Sequence, residues 1–210
     1  LFVSAIGLLL QDNTMQWQNA LDFRLLFHER ALAMVVFALC LATGSLIASK
    51  QLRSDTDKAV APALTIGWTA IIFLMLTVET TDYFRRQALL STGSESITPE
   101  YLRSLILAAI WSLYSLPLIW FGIQRRSETY AIIGVISIAV ATLTALVTGF
   151  NYSPITEFHL FFNIRFAVFI LIVASLLISG RLMSHWREPA DQMKNLAAGL
   201  HLGALGLLLF

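Results

Sequence analysis

Residues 31–49 read ALAMVVFALCLATGSLIAS, with no charged side chain between Arg30 and Lys50. Coiled at about 1.5 Å per residue, a run of this length covers the roughly 30 Å of hydrocarbon in a bilayer. The same reading extends outward along the chain. Ala59–Val78, Leu105–Gln124 and Tyr130–Phe150 are three more apolar runs of similar length. A fifth lies between Arg165 and Arg181 and is short as it stands. It reaches full length if its helix begins near Phe158, which sets Arg165 about two turns inside. Amide groups surrounded by hydrocarbon must bond within their own segment, so each run is expected to be a helix. The period-two alternation of a membrane barrel is missing.

Composition supports this reading. The chain has 210 residues, 57% hydrophobic and 13% charged, against roughly 25% charged in soluble domains. Too little polar surface remains to clothe a water-facing shell. A formal net charge of +1, with no basic run interleaved with aromatics, speaks against nucleic acid as a partner. The single Cys40 cannot close an intrachain disulfide. Leu1–Leu10 is apolar from its first residue and lacks a basic leader segment, so it does not read as a signal peptide. Leu196–Phe210 is still apolar where the sequence stops. Both are expected to be spans cut part-way, which makes the chain a fragment of a longer protein whose other helices are its partners.

Basic residues in the short connections set the orientation. Lys50, Arg53, Lys58, Arg125, Arg126, Arg181, Arg187 and Lys194 fall on one side, and Arg24, Arg30, Arg85, Arg86, Arg103 and Arg165 on the other. The second group sits beside carboxylates (Asp22, Glu29, Glu79, Asp82, Glu100, Glu157). The first group is therefore expected in the cytoplasm. The outer side would carry the longer connections, Gln11–Phe27, Glu79–Glu100 and Asn151–Phe162.

The chain also resembles itself. Asp22-Phe23-Arg24-Leu25-Leu26-Phe27-His28-Glu29-Arg30 lies over Glu157-Phe158-His159-Leu160-Phe161-Phe162-Asn163-Ile164-Arg165, an offset of 165 − 30 = 135. Both copies follow acid-Phe-x-Leu-x-Phe-x-x-Arg and lead into an apolar run. One unit then holds four helices, an even number that returns the chain to the same side. Such copies are parallel repeats related by an axis along the membrane normal. Chance likeness between two apolar helices is the competing explanation. The expected architecture is an all-α, polytopic transmembrane helical bundle with parallel four-helix internal repeats. It forms one transmembrane region over 1–210, with a repeat copy at 22–156 and the start of the next at 157–210.

The Phe-x-x-Arg lead into a span, the helix end Thr77-Val78-Glu79-Thr80-Thr81-Asp82-Tyr83-Phe84-Arg85-Arg86, and the Ser112-Leu113-Tyr114 helix leaving through Arg125-Arg126 carry a resemblance. They resemble the bacterial predicted-membrane-protein family known as domain of unknown function 2339. The resemblance implies a long multi-pass protein of the bacterial cytoplasmic (inner) membrane. It supplies no activity, so no functional residue is carried over.

Charges next to hydrocarbon are the best pointers to a site, because each costs about 2.5–3.5 kcal/mol on insertion scales. Arg30, beside Glu29, and the repeated Arg165 could clamp a phosphate or carboxylate between the two guanidinium groups. Alternatively they snorkel to the interface or pair with Asp22, Glu29 and Glu157. Glu79, Asp82 and Arg86 fall on one helical face, with Asp82 and Arg86 spaced as an i,i+4 pair. Glu79, nearest the apolar run, would act as a proton carrier or base, or would neutralise Arg30 or Arg165 across the bundle. Pro117 removes one helical bond and frees the Leu113 carbonyl beside Ser112 and Ser115. Gly134, Ser137, Ala141, Ala145 and Thr148 form a small-residue stripe suited to close helix packing. His28 and His159 lack a partner at metal spacing, so no metal is expected, and no motif calls for a cofactor.

The expected polar site on the outer face comprises Asp22, Arg24, Glu29, Arg30, Glu79, Asp82, Glu157, His159 and Arg165. Transport, or handling of a lipid or glycan, is the leading expectation, with membrane lipid, an anionic headgroup or a lipid-linked glycan as partner. Two alternatives stand beside it. One is a membrane-embedded transferase acting on a lipid-linked sugar, with Glu79 or Asp82 as base. The other is a non-catalytic scaffold subunit in which every charge is structural.

Overall fold

The computed structural model describes residues 29–51, 59–90, 99–151, 163–184 and 191–208. These form six helices: α1 (Glu29–Gln51), α2 (Val60–Leu90), α3 (Pro99–Arg125), α4 (Glu128–Asn151), α5 (Ile164–Ser184) and α6 (Asp191–Leu208). No strand occurs among the described residues. Helices α1 to α5 are each long and apolar enough to cross a membrane, whereas the apolar part of α6, Asn195–Leu207, is shorter.

The distribution of side chains is the reverse of a soluble bundle. Large apolar groups point away from the protein, with Leu32 65%, Leu39 61%, Leu143 62% and Phe150 63% exposed. Small residues fill the contacts. On α1 the buried positions Ala31, Ala38 and Ser45 recur every seven residues, with Met34 and Ala48 beside them. In an apolar medium, burying leucine would offer little drive, and close backbone approach and polar contacts would hold such helices together.

Each neighbouring pair shows this. Helices α1 and α2 pack antiparallel, joined near one end by Ser45 Oγ to Thr65 Oγ1 at 2.7 Å and near the other by Arg30 with Glu79 and Asp82. Helices α3 and α4 approach closely at Gly122, where an added Cβ would lie 2.7 Å from the Ala131 amide nitrogen. At Gly134 it would lie 2.6 Å from Ile119 and 3.0 Å from the Ser115 carbonyl oxygen. Gly134, Ser137, Ala141 and Ala145 are all buried, so most of the small-residue stripe on α4 is a packing face. The α3–α4 turn is tight: Ser127 N–H donates to Gly122 O at 2.8 Å and Arg126 N–H to Ile123 O at 3.3 Å. This pair of hydrogen bonds closes a helix end with Arg126 at φ 52°, a position that glycine usually fills.

Helix α5 packs on α3, α4 and α6. Leu105, Ala108 and Ile119 of α3, Ile138 of α4, and Val168, Ile172, Leu176 and Met183 of α5 share one buried cluster, which Ala197, Leu200, Ala204 and Leu207 of α6 extend. At Gly180 the α6 ring of His201 lies so close that a Cβ would fall 2.5 Å from His201 Cε1. The ring is fixed by Nδ1 donating to the Ala197 carbonyl at 2.8 Å.

Two expectations from the sequence are corrected. Glu79 does not end the second helix: α2 has 31 residues, about 46 Å at the helical rise, and runs eleven residues beyond Glu79. Thr80 and Thr81 donate to the carbonyls of Leu76 and Thr77 at 2.7 and 2.8 Å, so neither hydroxyl breaks the helix. The fifth helix begins at Ile164 rather than near Phe158. Asn163 is non-helical and caps the helix, its Oδ1 accepting the Phe166 N–H at 2.7 Å. Arg165 therefore sits in the first turn and not two turns inside. Helix α3 passes through Pro117 and continues to Arg125.

Candidate polar site at the end of the α1–α2 pair

The second residue of α1, Arg30, faces the last third of α2. Its guanidinium Nη2 donates to Asp82 Oδ2 and, at 3.4 Å, to Glu79 Oε1. The spacing of the two acids accounts for this. Residues three apart stand on neighbouring turns of one helical face, so one guanidinium reaches both. Arg30 keeps 16% of its side-chain surface, against 4% for Glu79 and 8% for Asp82. The arginine is the accessible member and the carboxylates are enclosed. Arg86, four residues beyond Asp82, is half-buried on the same side of α2.

Of the nine residues expected in the site, the structure brings Arg30, Glu79 and Asp82 together. Glu29, first in α1, is exposed. Arg165 has other surroundings: its guanidinium lies 5.9 Å from the centroid of the Phe169 ring, near Gly149 at the end of α4. Cation–π contact of this kind supplies about 0.5–1 kcal/mol at accessible positions. Asp22, Arg24, Glu157 and His159 lie outside the described residues, as does the Phe23–Phe27 stretch of the repeat.

The opposite face of α2 carries a second set of polar contacts, toward α3. Trp111 Nε1 donates to Thr77 Oγ1 at 2.9 Å and the Tyr114 hydroxyl to the Thr69 carbonyl at 2.8 Å. Phe73 fills the space between, stacked on Trp111 with centroids 5.1 Å apart and tilted to Tyr114 at 6.1 Å. Trp111 and Tyr114, three residues apart on α3, share a helical face by their spacing alone, which does not give their partners. The four-residue spacing of Thr69, Phe73 and Thr77 was the signal available. Ser115 Oγ donates to the Ser112 carbonyl at 2.6 Å, while Ser112 Oγ and Ser179 Oγ have no hydrogen-bond partner among the described residues.

Two carboxylates and a guanidinium at the end of an apolar helix pair can do one of two things chemically. They can bind a charged or zwitterionic group by exchanging partners, or they can lock α1 to α2. Among the described residues no group of three or more His, Cys, Asp or Glu side chains could hold a metal ion. No protein-family model, curated protein or solved structure matches the chain.

Proposed function

We propose that this chain is a multi-pass integral membrane protein that binds or moves a charged or zwitterionic solute, or a lipid headgroup, at the end of the bundle where Arg30, Glu79 and Asp82 meet. The observation that carries this reading is the enclosed Arg30–Glu79–Asp82 cluster on helices otherwise suited to hydrocarbon. Ionisable groups in such surroundings are expensive to keep and mark sites by default. From Lys50 back to Arg30 the axial rise is about 30 Å, so the cluster falls at the hydrocarbon boundary opposite Lys50. A site there is open to one aqueous face.

The same proposal takes in the finer architecture. Arg30 and Arg165 are each the second residue of their helices, which supports the parallel four-helix repeat at offset 165 − 30 = 135. In both copies the helix that follows packs on the one that carries the arginine. The alternating helix ends gather Lys50, Arg125 and Arg181 at last turns, which supports a cytoplasmic location for that face. The bacterial inner membrane and the family known as domain of unknown function 2339 remain the setting we propose, on the motifs quoted above.

A clamp in which Arg30 and Arg165 together hold an anion is a weaker form of the reading, because Arg30 already engages two carboxylates. A transferase is weaker too. It needs Glu79 or Asp82 to take a proton from an acceptor, and both carboxylates are held by Arg30. One specific observation favours the scaffold alternative, namely that the ion pairs close within the α1–α2 pair itself.

Thermal unfolding of the detergent-solubilised chain separates these readings. The probes are inorganic phosphate, glycerol phosphate, sodium and potassium ions, glycine and ethanolamine. A ligand present at about 100 times its Kd adds roughly 2.7 kcal/mol. Binding at the proposed site is expected as stabilisation by at least one probe, lost in Glu79→Gln and Asp82→Asn. If no probe stabilises the chain, or if the variants respond as the parent does, the scaffold reading takes its place.

A further inference from the structure

We propose that the turn joining α3 to α4 docks the phosphate of an anionic phospholipid, held by Arg125 and Arg126, with Trp120 and Phe121 against its acyl chains. This surface lies at the end of the bundle opposite Arg30 and stands or falls separately from the solute site above.

The backbone gives the first reason. Arg126 occupies left-handed backbone at φ 52°, and no other non-glycine residue among those described does so. Glycine would fill the position without strain. Packing does not account for the arginine, because its side chain is exposed, as is that of Arg125. A side chain kept on the surface at a backbone cost points to a role outside the fold.

Charge gives the second. The helix ends on this side carry Lys50, Arg125, Arg126 and Arg181, and of the side chains described there only Glu128 is acidic. At the other end Arg30 is matched by Glu79 and Asp82. Lys50, Arg125 and Arg181 fall in last turns, where they also offset the helix dipoles. One charge per helix serves that purpose, whereas α3 is followed at once by a second, Arg126. Two adjacent guanidinium groups, each able to present paired donors, suit the oxygens of a phosphate.

The third reason selects a lipid over a soluble anion. Phe121 precedes Arg125 by four residues and so stands on the same face of α3. It is 45% exposed and Trp120 beside it 46%, with their rings edge to face at 5.1 Å. Trp120 lies about 7.5 Å inward of Arg125 along the helix. Exposed aromatics just inside a basic rim are the pattern of a headgroup boundary on an anionic leaflet. Such rings add nothing for a soluble anion, but they pack against the chains that hang from a lipid phosphate.

The test unfolds the full chain thermally in neutral detergent micelles with phosphatidylglycerol or phosphatidylcholine added, while native mass spectrometry counts the lipids retained. Phosphatidylglycerol is expected to raise the midpoint and to be retained in preference. Arg125→Gln/Arg126→Gln should weaken that preference about tenfold or more. Lys50→Gln/Arg181→Gln, the same loss of charge at the same end, should weaken it much less. Arg126→Gly controls for misfolding: it should unfold no earlier than the parent in phosphatidylcholine, yet gain less from phosphatidylglycerol. Glu79→Gln/Asp82→Asn should respond to phosphatidylglycerol as the parent does, so that either site can fail alone. An undiminished preference in Arg125→Gln/Arg126→Gln or in Arg126→Gly overturns the proposal. Equal losses in Arg125→Gln/Arg126→Gln and Lys50→Gln/Arg181→Gln overturn it as well, since a diffuse basic field would then suffice. So does stabilisation by inorganic phosphate that matches phosphatidylglycerol and disappears in Arg125→Gln/Arg126→Gln, which would make the turn a site for soluble anions.

Discussion

Arg30 has the strongest energetic consequences of any single residue described here. Removing its charge leaves Glu79 and Asp82 enclosed on one helical face with a shared partner gone. Losing one member of a buried ion pair costs roughly 3–5 kcal/mol, much of it the penalty on the charges left behind. Partial exposure of Arg30 moves the expectation for Arg30→Gln toward the lower end, about 3 kcal/mol. The triple variant Arg30→Gln/Glu79→Gln/Asp82→Asn leaves no charge stranded and should be less destabilised than Arg30→Gln alone. Thermal unfolding in one detergent orders the two, and a triple variant less stable than the single one contradicts this assignment. Arg126 carries an independent prediction. Its φ of 52° strains an L-residue but not glycine, so Arg126→Gly should gain about 1 kcal/mol in the same assay.

Among the helices, close approach decides what each contact tolerates. A methyl at Gly122 would press on the Ala131 backbone at 2.7 Å, and a backbone has nowhere to retreat. Gly122→Ala should therefore cost about 1–3 kcal/mol by overpacking. Gly199 and Gly203, also in a helix, have nothing within 4 Å, so alanine there should be neutral or slightly stabilising. Unfolding midpoints of the three variants check this contrast. The helical spans themselves could be read from the sequence, because length and the absence of charge suffice to define them. The true end of α2 could not. Glu79 to Arg86 is legible as a helix end, but not how far the helix runs past it, and the contacts there include a guanidinium 49 residues away in the chain. The start of α5 was legible in principle, since Asn163 before Ile-Arg-Phe is a capping residue, but the length needed to cross a bilayer drew the helix back toward Phe158. Within the site, the i,i+3 spacing placed Glu79 and Asp82 on one face, and Arg30 stood among the partners considered for Glu79. The contact of Arg165 with Phe169 was legible too, since the two stand at i and i+4 on one helix; the helix start that brings Arg165 to the first turn was the part missed.

For the molecule as a whole, the account makes two linked statements, one about sidedness and one about medium. If the basic ends of α1 and α3 face the cytoplasm, single cysteines at Lys50 or Arg125 should resist a membrane-impermeant maleimide in intact cells, while one at Arg103 should react. The reverse pattern would invert the orientation. The statement about medium comes first, since without lipid around α1 to α5 neither the site nor the orientation has meaning. It is tested most directly by spin labels placed singly at Leu39, Leu74, Leu113 and Leu143, exposed mid-helix positions on α1 to α4, in the reconstituted Cys40→Ser chain. The account predicts frequent collisions with dissolved oxygen, which concentrates in hydrocarbon, and almost none with an aqueous nickel chelate. Ready access of the chelate to these positions, or shielding from both reagents, would contradict it.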